Sequence, residues 1–211
     1  MSNYKSLEEI KKFWPKEAPN IKNVFKYVSK YKDDLIVIKY GGNVLIDRNV
    51  FNNFIDDIFI LNLLGLSIVV VHGGGPRIEK ELEKEKIQTK FLNGLRITDE
   101  KVIKIVENVL IDFNNDIVKS LNKKGCKAVS INSKVNNIID VVPDIQKLGF
   151  VGVPNKINGH RFIKLLFLKT NTESEDISVF LISLIFSITP IAVSSLFKLI
   201  NSPDLTPHSL I

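Results

Sequence analysis

The sequence predicts an α/β fold in which helices cover both faces of a mainly parallel sheet, and three observations lead there. Short apolar runs without polar alternation recur along the chain, hydrophobic spacing switches to a 3.6-residue period between them, and two of the runs end in glycine clusters. Continuous apolar runs suit strands buried on both faces, as parallel sheets require. Strands that alternate with helical segments imply crossover connections, and ligands of such sheets bind beyond the carboxyl ends of the strands.

Each element follows in order. The opening MSNYKSLEEIKKFWPKEAP carries charges throughout and has no apolar centre, which excludes a secretory signal. Leu7, Ile10 and Trp14 share one face of a short helix predicted over residues 6 to 14. That face is too small to fold alone and is expected to dock on another subunit. LIVIKY, residues 35 to 40, reads as a buried strand closed by Gly41 and Gly42. Val50, Phe51, Phe54, Ile55, Ile58 and Phe59 then repeat at helical spacing as far as Leu64, where Gly65 can end the helix. SIVVVH is a second buried strand, and after HGGGP a charged helix over 77 to 85 keeps Ile78 and Leu82 on one face. Past Thr98 comes a longer helix with Val102, Ile105, Val106, Val109, Leu110, Phe113, Ile117 and Leu121 on its stripe. KAVSI forms a third strand after Gly125, giving the order β-α-β-α-α-β.

Composition bounds the function. A chain of 211 residues, 45% hydrophobic, can bury one substantial core. Its net charge of +6 comes from 29 basic and 23 acidic residues that are intermixed. That suits an anionic small molecule better than nucleic acid, which favours a concentrated basic stripe, so no nucleic-acid partner is expected. The single cysteine, Cys126, excludes an intramolecular disulfide and a cysteine-based zinc cluster, and fits a reducing, cytoplasmic setting.

The run Gly73-Gly74-Gly75 after a buried strand and before a helix is the strongest local signal. Glycines let backbone N–H groups approach an anion, and the following helix turns its positive end to the same place. A tight strand-to-helix turn would need only one glycine. The pattern is not a Walker loop, since G-x-x-x-x-G-K-[ST] is absent, and Ile78 stands where a dinucleotide fingerprint needs its last glycine. HGGG also serves as an oxyanion motif in some esterases, but no G-x-S-x-G supplies a nucleophile. Lys39, inside an apolar strand, is either a cation buried for an anionic partner or an edge residue reaching water. Arg96, in NGLRITDE, is either a bidentate carboxylate anchor or an ordinary surface arginine.

IVIKYGGN, LGLSIVVVHGGGP, KFLNGLRITDE, IVENVL, GCKAVSI and LGFVGVP, in this order over residues 35 to 154, resemble the N-acetylglutamate kinases of the amino-acid kinase family. The N-terminal segment is similar to the extra helix of the hexameric, arginine-inhibited members, with EAPNI standing where they carry an ALPYI-like turn. The resemblance implies an αβα sandwich, the amino-acid kinase fold, and transfer of a phosphoryl group from ATP to the γ-carboxylate of N-acetyl-L-glutamate in arginine synthesis. It also implies a homo-oligomer and arginine as an inhibitor. Mg2+ enters as MgATP, and no residue is assigned to hold a metal. Matched motif by motif, Lys39 would stabilise the transferring phosphoryl group, Gly41 and Gly42 would contact it through their amides, Gly74 and Gly75 would line the acetylglutamate site, and Arg96 would grip the substrate carboxylate. His72 is expected to be structural, because a carboxylate nucleophile needs no base.

Three regions follow from this: a helical extension over 1 to 30, an acetylglutamate-binding lobe over 31 to 160, and a divergent apolar tail over 161 to 211. INSKVN departs from the G-K-D-like motif of many relatives, and past Gly159 the family's N-x-N-A-D-like stretch, second lysine and orienting aspartate are not recognisable. The fold is therefore expected to be incomplete at its C-terminus. The tail has three readings. Ile177 to Phe197 has no charge and could span a bilayer; TPIAVSS could belong to a buried strand and helix; or an AT-rich reading frame has shifted or ended early. The last is favoured and a membrane span is not expected. Alongside the kinase stands a second class of function, a member that binds ligand or assembles with partners without turning over ATP.

Overall fold

The computed structural model describes residues 7–31, 34–41, 47–132, 137–144, 148–160 and 178–183. At the centre of the described residues is a four-stranded parallel sheet. It is built from β1 (Leu35–Tyr40), β2 (Ser67–His72), β5 (Lys127–Asn132) and β8 (Ser178–Ser183), in the order β1-β2-β8-β5. Helix α3 (Arg48–Leu63) connects β1 to β2, and α4 (Gly75–Lys84) with α5 (Glu100–Lys123) precede β5. Two short helices, α1 (Leu7–Lys11) and α2 (Ile21–Val28), lead into the sheet.

Local chemistry sets the helix ends. The Asp47 carboxylate accepts from the Asn49 and Val50 amides at the start of α3, and Asp99 does the same for Lys101 and Val102 at the start of α5. Each cap satisfies amides that have no partner within the helix. Along α5 the buried positions are Val102, Val106, Leu110, Phe113, Asn114, Ile117 and Leu121, the spacing of one helical face. The main core joins this face to α3 and to Ile68 and Val70 of β2, while Leu110, Val106 and Val102 meet Ile78 and Leu82 of α4.

Four features differ from the sequence reading. β2 is buried almost throughout, but β1 is only half-buried, and among the described residues it lies at a sheet edge with a neighbour on one side alone. Leu7, Ile10 and Trp14 do share a face, yet that face packs on the chain's own core, and Ile10 is wholly buried there without a second subunit. Two antiparallel ribbons, β3 (Phe91–Leu92) with β4 (Leu95–Arg96) and β6 (Ile139–Pro143) with β7 (Gly152–Ile157), had no signal as strands. Finally, residues 178–183, from the stretch set apart as a tail, lie between β2 and β5 in the middle of the sheet. The rest of Ile177 to Phe197, including TPIAVSS, lies outside the described residues, among which no helix is long and apolar enough to cross a membrane.

Candidate active site

β1 and β2 run in register from Leu35 opposite Ser67 to Tyr40 opposite His72, so their glycine turns leave the sheet at one level. The Gly73 amide donates to the Tyr40 carbonyl at 3.0 Å and ties the two turns together. Where a side chain would begin at Gly41, Gly73 or Gly75 no atom of the described residues lies within 4 Å. Helix α4 starts immediately, with Gly74 at its N-cap, a proline in its first turn and no side chain capping its amides. Uncapped amides and the positive end of a helix dipole face a glycine-lined opening, an arrangement that receives an anionic group. Gly42 lies outside the described residues.

Gly74 has a further, packing role. A Cβ there would sit 2.5 Å from Leu110 Cδ2, so the missing side chain lets the α4 entry lie directly on α5. Any ligand contact at Gly74 would therefore run through its backbone.

The wall behind the loop is built from His72 and α5. His72 is 1% exposed, with Nδ1 3.0 Å from the Gly73 carbonyl oxygen and Nε2 3.1 Å from Asn114 Nδ2. A carbonyl only accepts and an amide nitrogen only donates, so the imidazole carries its proton on Nδ1 and takes a hydrogen bond at Nε2. Burial holds its pKa down to about 4, against the opposing effect of the bond to Gly73, with the Arg77 charge acting in the same direction as burial. The neutral ring has no spare proton to shuttle. Phe113 meets its edge at 4.9 Å, and Arg77 lies 4.0 Å over the other ring while donating to Asp116 at 3.0 Å.

Lys39 is exposed, at the edge of the sheet and opposite Val71. Of the two readings of Lys39, the described structure takes the second: an exposed edge residue whose charge reaches water. Alternation along β1 sends Tyr40 to the other face, where it stacks on Phe54 with centroids 3.6 Å apart.

Arg96 is no ordinary surface arginine, its side chain being 11% exposed. Nη2 donates to Glu79 Oε1 at 2.5 Å, Nη1 donates to Thr89 Oγ1 at 2.8 Å, and the Phe91 ring lies 4.7 Å from Cζ. The segment after it is clamped as well. The Thr98 amide donates to the Leu148 carbonyl at 2.8 Å and the Phe150 amide to the Thr98 carbonyl at 2.7 Å. Gly149 between them has φ +80°, and a Cβ there would lie 2.2 Å from the Thr98 oxygen, so only glycine fits. LGF of the LGFVGVP motif therefore fastens the turn that carries Arg96.

Sequence reasoning missed Glu79, Thr89 and Asn114. Glu79 was hidden in EKELEKEK, which reads as a solvated charge run. Asn114 did leave a signal: it is the polar residue at a stripe position of an otherwise apolar helix face.

Comparison with known proteins places these features in context. The sequence model of the amino acid kinase family matches residues 34–173. Acetylglutamate kinase of Pelagibacter ubique (strain HTCC1062) is 50% identical over 151 residues, which are 72% of this chain and 52% of that protein. Acetylglutamate kinase of Petrotoga mobilis (strain DSM 10674 / SJ95) is 41% identical over 143 residues, covering 66% and 48%. The chain spans about half the length of the curated relatives it matches. Among solved structures, smu.665 from Streptococcus mutans UA159 superposes with a TM-score of 0.57 at 27% identity, covering 72% of this chain and 58% of that one. N-acetylglutamate synthase from Neisseria gonorrhoeae, complexed with coenzyme A and N-acetyl-glutamate, gives 0.58 at 18% identity over 78% and 38%, a likeness of fold alone.

Proposed function

The chain belongs to the amino acid kinase family, and on that premise we propose that it is an acetylglutamate kinase, moving a phosphoryl group from ATP to the γ-carboxylate of N-acetyl-L-glutamate in cytoplasmic arginine biosynthesis. The observation that carries this reading is the joining of two glycine turns, one of them opening an uncapped helix, at one end of the sheet. The 50% identity to an acetylglutamate kinase supports the choice of substrate.

The residues fit anionic ligands: open glycine turns and unpaired helix amides receive carboxylate or phosphoryl oxygens without a competing side chain. Bound with Mg2+ on its phosphates, ATP supplies the phosphoryl group, and the metal neutralises charge on it. The protein's own task is then positioning and charge stabilisation. Lys39, exposed near the carboxyl end of β1, is assigned to offset negative charge that grows during transfer. The amides of Gly41 and Gly42 are assigned the same task on the resemblance. Gly74 and Gly75 line the acetylglutamate site, and Arg96 holds the substrate carboxylate. No proton must be removed from a carboxylate nucleophile, which agrees with a neutral, fully bonded His72. We extend the reading to a homo-oligomer with arginine as inhibitor on the likeness of the N-terminal segment to hexameric relatives. Light scattering of the intact chain, with and without arginine, tests that part.

Substrate binding is tested by calorimetry with N-acetyl-L-glutamate. Arg96→Ala is expected to weaken binding by about 1.5–3 kcal/mol, the scale of a hydrogen bond to a charged group, and lysine should rescue it only in part because the planar fork is lost. Unchanged affinity in a folded Arg96→Ala variant would overturn the assignment.

A further inference from the structure

A carboxylate anchor is effective only if its fork is already aimed, since an arginine free to choose among rotamers loses that freedom on binding. Arg96 is held on three sides. Glu79 takes one end nitrogen and Thr89 the other, while Phe91 underlies the plane. The Thr89 hydroxyl closes the ring by donating to the second Glu79 oxygen at 3.4 Å, so one hydrogen-bonded circuit joins the three residues. Both contacts use the two terminal nitrogens of the guanidinium, so a second carboxylate would take the edge carrying Nε–H. The Arg96 side chain is 11% exposed and that of Glu79 40%, so the pair is open to water on its carboxylate side.

The source of Glu79 gives the circuit its meaning. It is a residue of α4, one turn beyond Gly75, on the same rigid helix whose first amides form the anion receptor. One helix thus fixes both the glycine loop and, through Glu79, the aim of Arg96.

We propose that Glu79, assisted by Thr89, is a positioning residue that sets the span between the α4 amides and the Arg96 fork, and thereby selects the length of the acylated dicarboxylic amino acid that is bound. The inference rests on Arg96 being the substrate anchor. Glu79 touches no substrate in this scheme; it acts only through the arginine.

Calorimetry on the full 211-residue chain, with N-acetyl-L-glutamate and the shorter N-acetyl-L-aspartate as probes, tests it. Glu79→Ala is expected to weaken acetylglutamate binding about tenfold, the effect of one charge-assisted bond, and to narrow the preference over acetylaspartate. Glu79→Gln keeps an oxygen acceptor of the same shape and should restore most of that preference. Thr89→Val, nearly isosteric, should cause a smaller change of the same kind and carries the test if Glu79→Ala does not fold. A merely structural role would lower melting temperature without altering the ratio of the two affinities. Wild-type affinity and preference in Glu79→Ala, with binding lost in Arg96→Ala, would overturn the positioning role and leave the anchor standing. Tighter binding in Glu79→Ala would show Glu79 competing with the substrate and would also overturn it. Absence of acetylglutamate binding by the wild type, or no effect of Arg96→Ala, would remove the anchor and this inference with it.

Discussion

The carboxyl ends of β1 and β2 lie side by side, with Tyr40 opposite His72, yet they are held in place by different means. Behind the β2 end everything is filled: His72 is bonded at both nitrogens, Phe113 closes on its edge, and Gly74 touches Leu110. At the β1 end, among the described residues, the strand is an edge, Lys39 is exposed, and a Cβ at Gly41 would meet nothing. An anion site gains from this division. The side that supplies fixed amides must not move, because a preorganised dipole loses its advantage if it has to be aligned during the reaction. The side that supplies a mobile ammonium needs water and room. Substitutions behind β2 should therefore act on stability first, and those at Lys39 and Gly41 on chemistry first.

The sharpest way to break this contrast is to compare Phe113→Ala with Lys39→Met. Phe113 is fully buried between Tyr40, Phe51, His72 and the Arg77 guanidinium, so its removal should destabilise the fold by about 3–5 kcal/mol. Lys39→Met should stay within about 0.5 kcal/mol of wild type in urea unfolding. If the nucleotide site is complete, the same change should reduce kcat in an assay with MgATP and acetylglutamate by about a hundred- to a thousandfold with little effect on substrate affinity. A Lys39→Met variant that unfolds as readily as Phe113→Ala would mean that the two ends are not held differently.

The pH dependence sharpens the β2 side. His72 has a folded pKa of about 4, below the usual 6.5 of an unfolded chain, so at intermediate pH the unfolded state binds the extra proton. Its contribution is fully present above pH 6.5 and is lost as pH falls through that value toward 4. A shift of this size corresponds to about 3 kcal/mol. Wild-type melting temperature should drop over the window, and the drop should be shallower in His72→Gln once the carboxylate titrations common to both are subtracted. Parallel curves for the two proteins would show that His72 is not buried neutral.

Much of this was legible from pattern alone. Apolar runs and helical periodicity locate β1, β2, β5, α3, α4 and α5 within a few residues, because burial on both faces of a sheet leaves no polar positions to obscure them. Gly41, Gly74, Gly75, Lys39 and Arg96 could be picked out as candidates because their types are unusual for their surroundings. What pattern could not supply was lateral order. Whether β1 is an edge, and so whether Lys39 is buried, depends on strand neighbours that periodicity does not encode. Nor did the apolar bias of residues 178–183 distinguish a central strand from a misread tail, since both are rich in the same residues. The Glu79–Arg96 circuit joins residues 17 apart through tertiary packing, and charge runs on helices ordinarily face solvent.

The smallest and most discriminating test replaces single hydrogens with methyl groups. At Gly41 the new Cβ meets nothing and φ is not in the left-handed region, so Gly41→Ala should leave stability unchanged or raise it by about 0.4–1 kcal/mol, because alanine narrows the unfolded ensemble. At Gly74 the methyl would stand 2.5 Å from Leu110 Cδ2, the end of a side chain that can rotate away at the expense of its packing. Overpacking of that kind costs about 1–3 kcal/mol. Replacing Leu110 by alanine in the same chain should then absorb part of the loss, since the colliding methyl is gone; a double-mutant cycle reads the coupling directly. Equal stabilities for Gly41→Ala and Gly74→Ala would contradict the close approach of α4 to α5. A coupled, Leu110-dependent loss at Gly74 beside a stable but inactive Gly41→Ala variant is the outcome expected if one end of the site is fixed by packing and the other is kept open for the phosphoryl group.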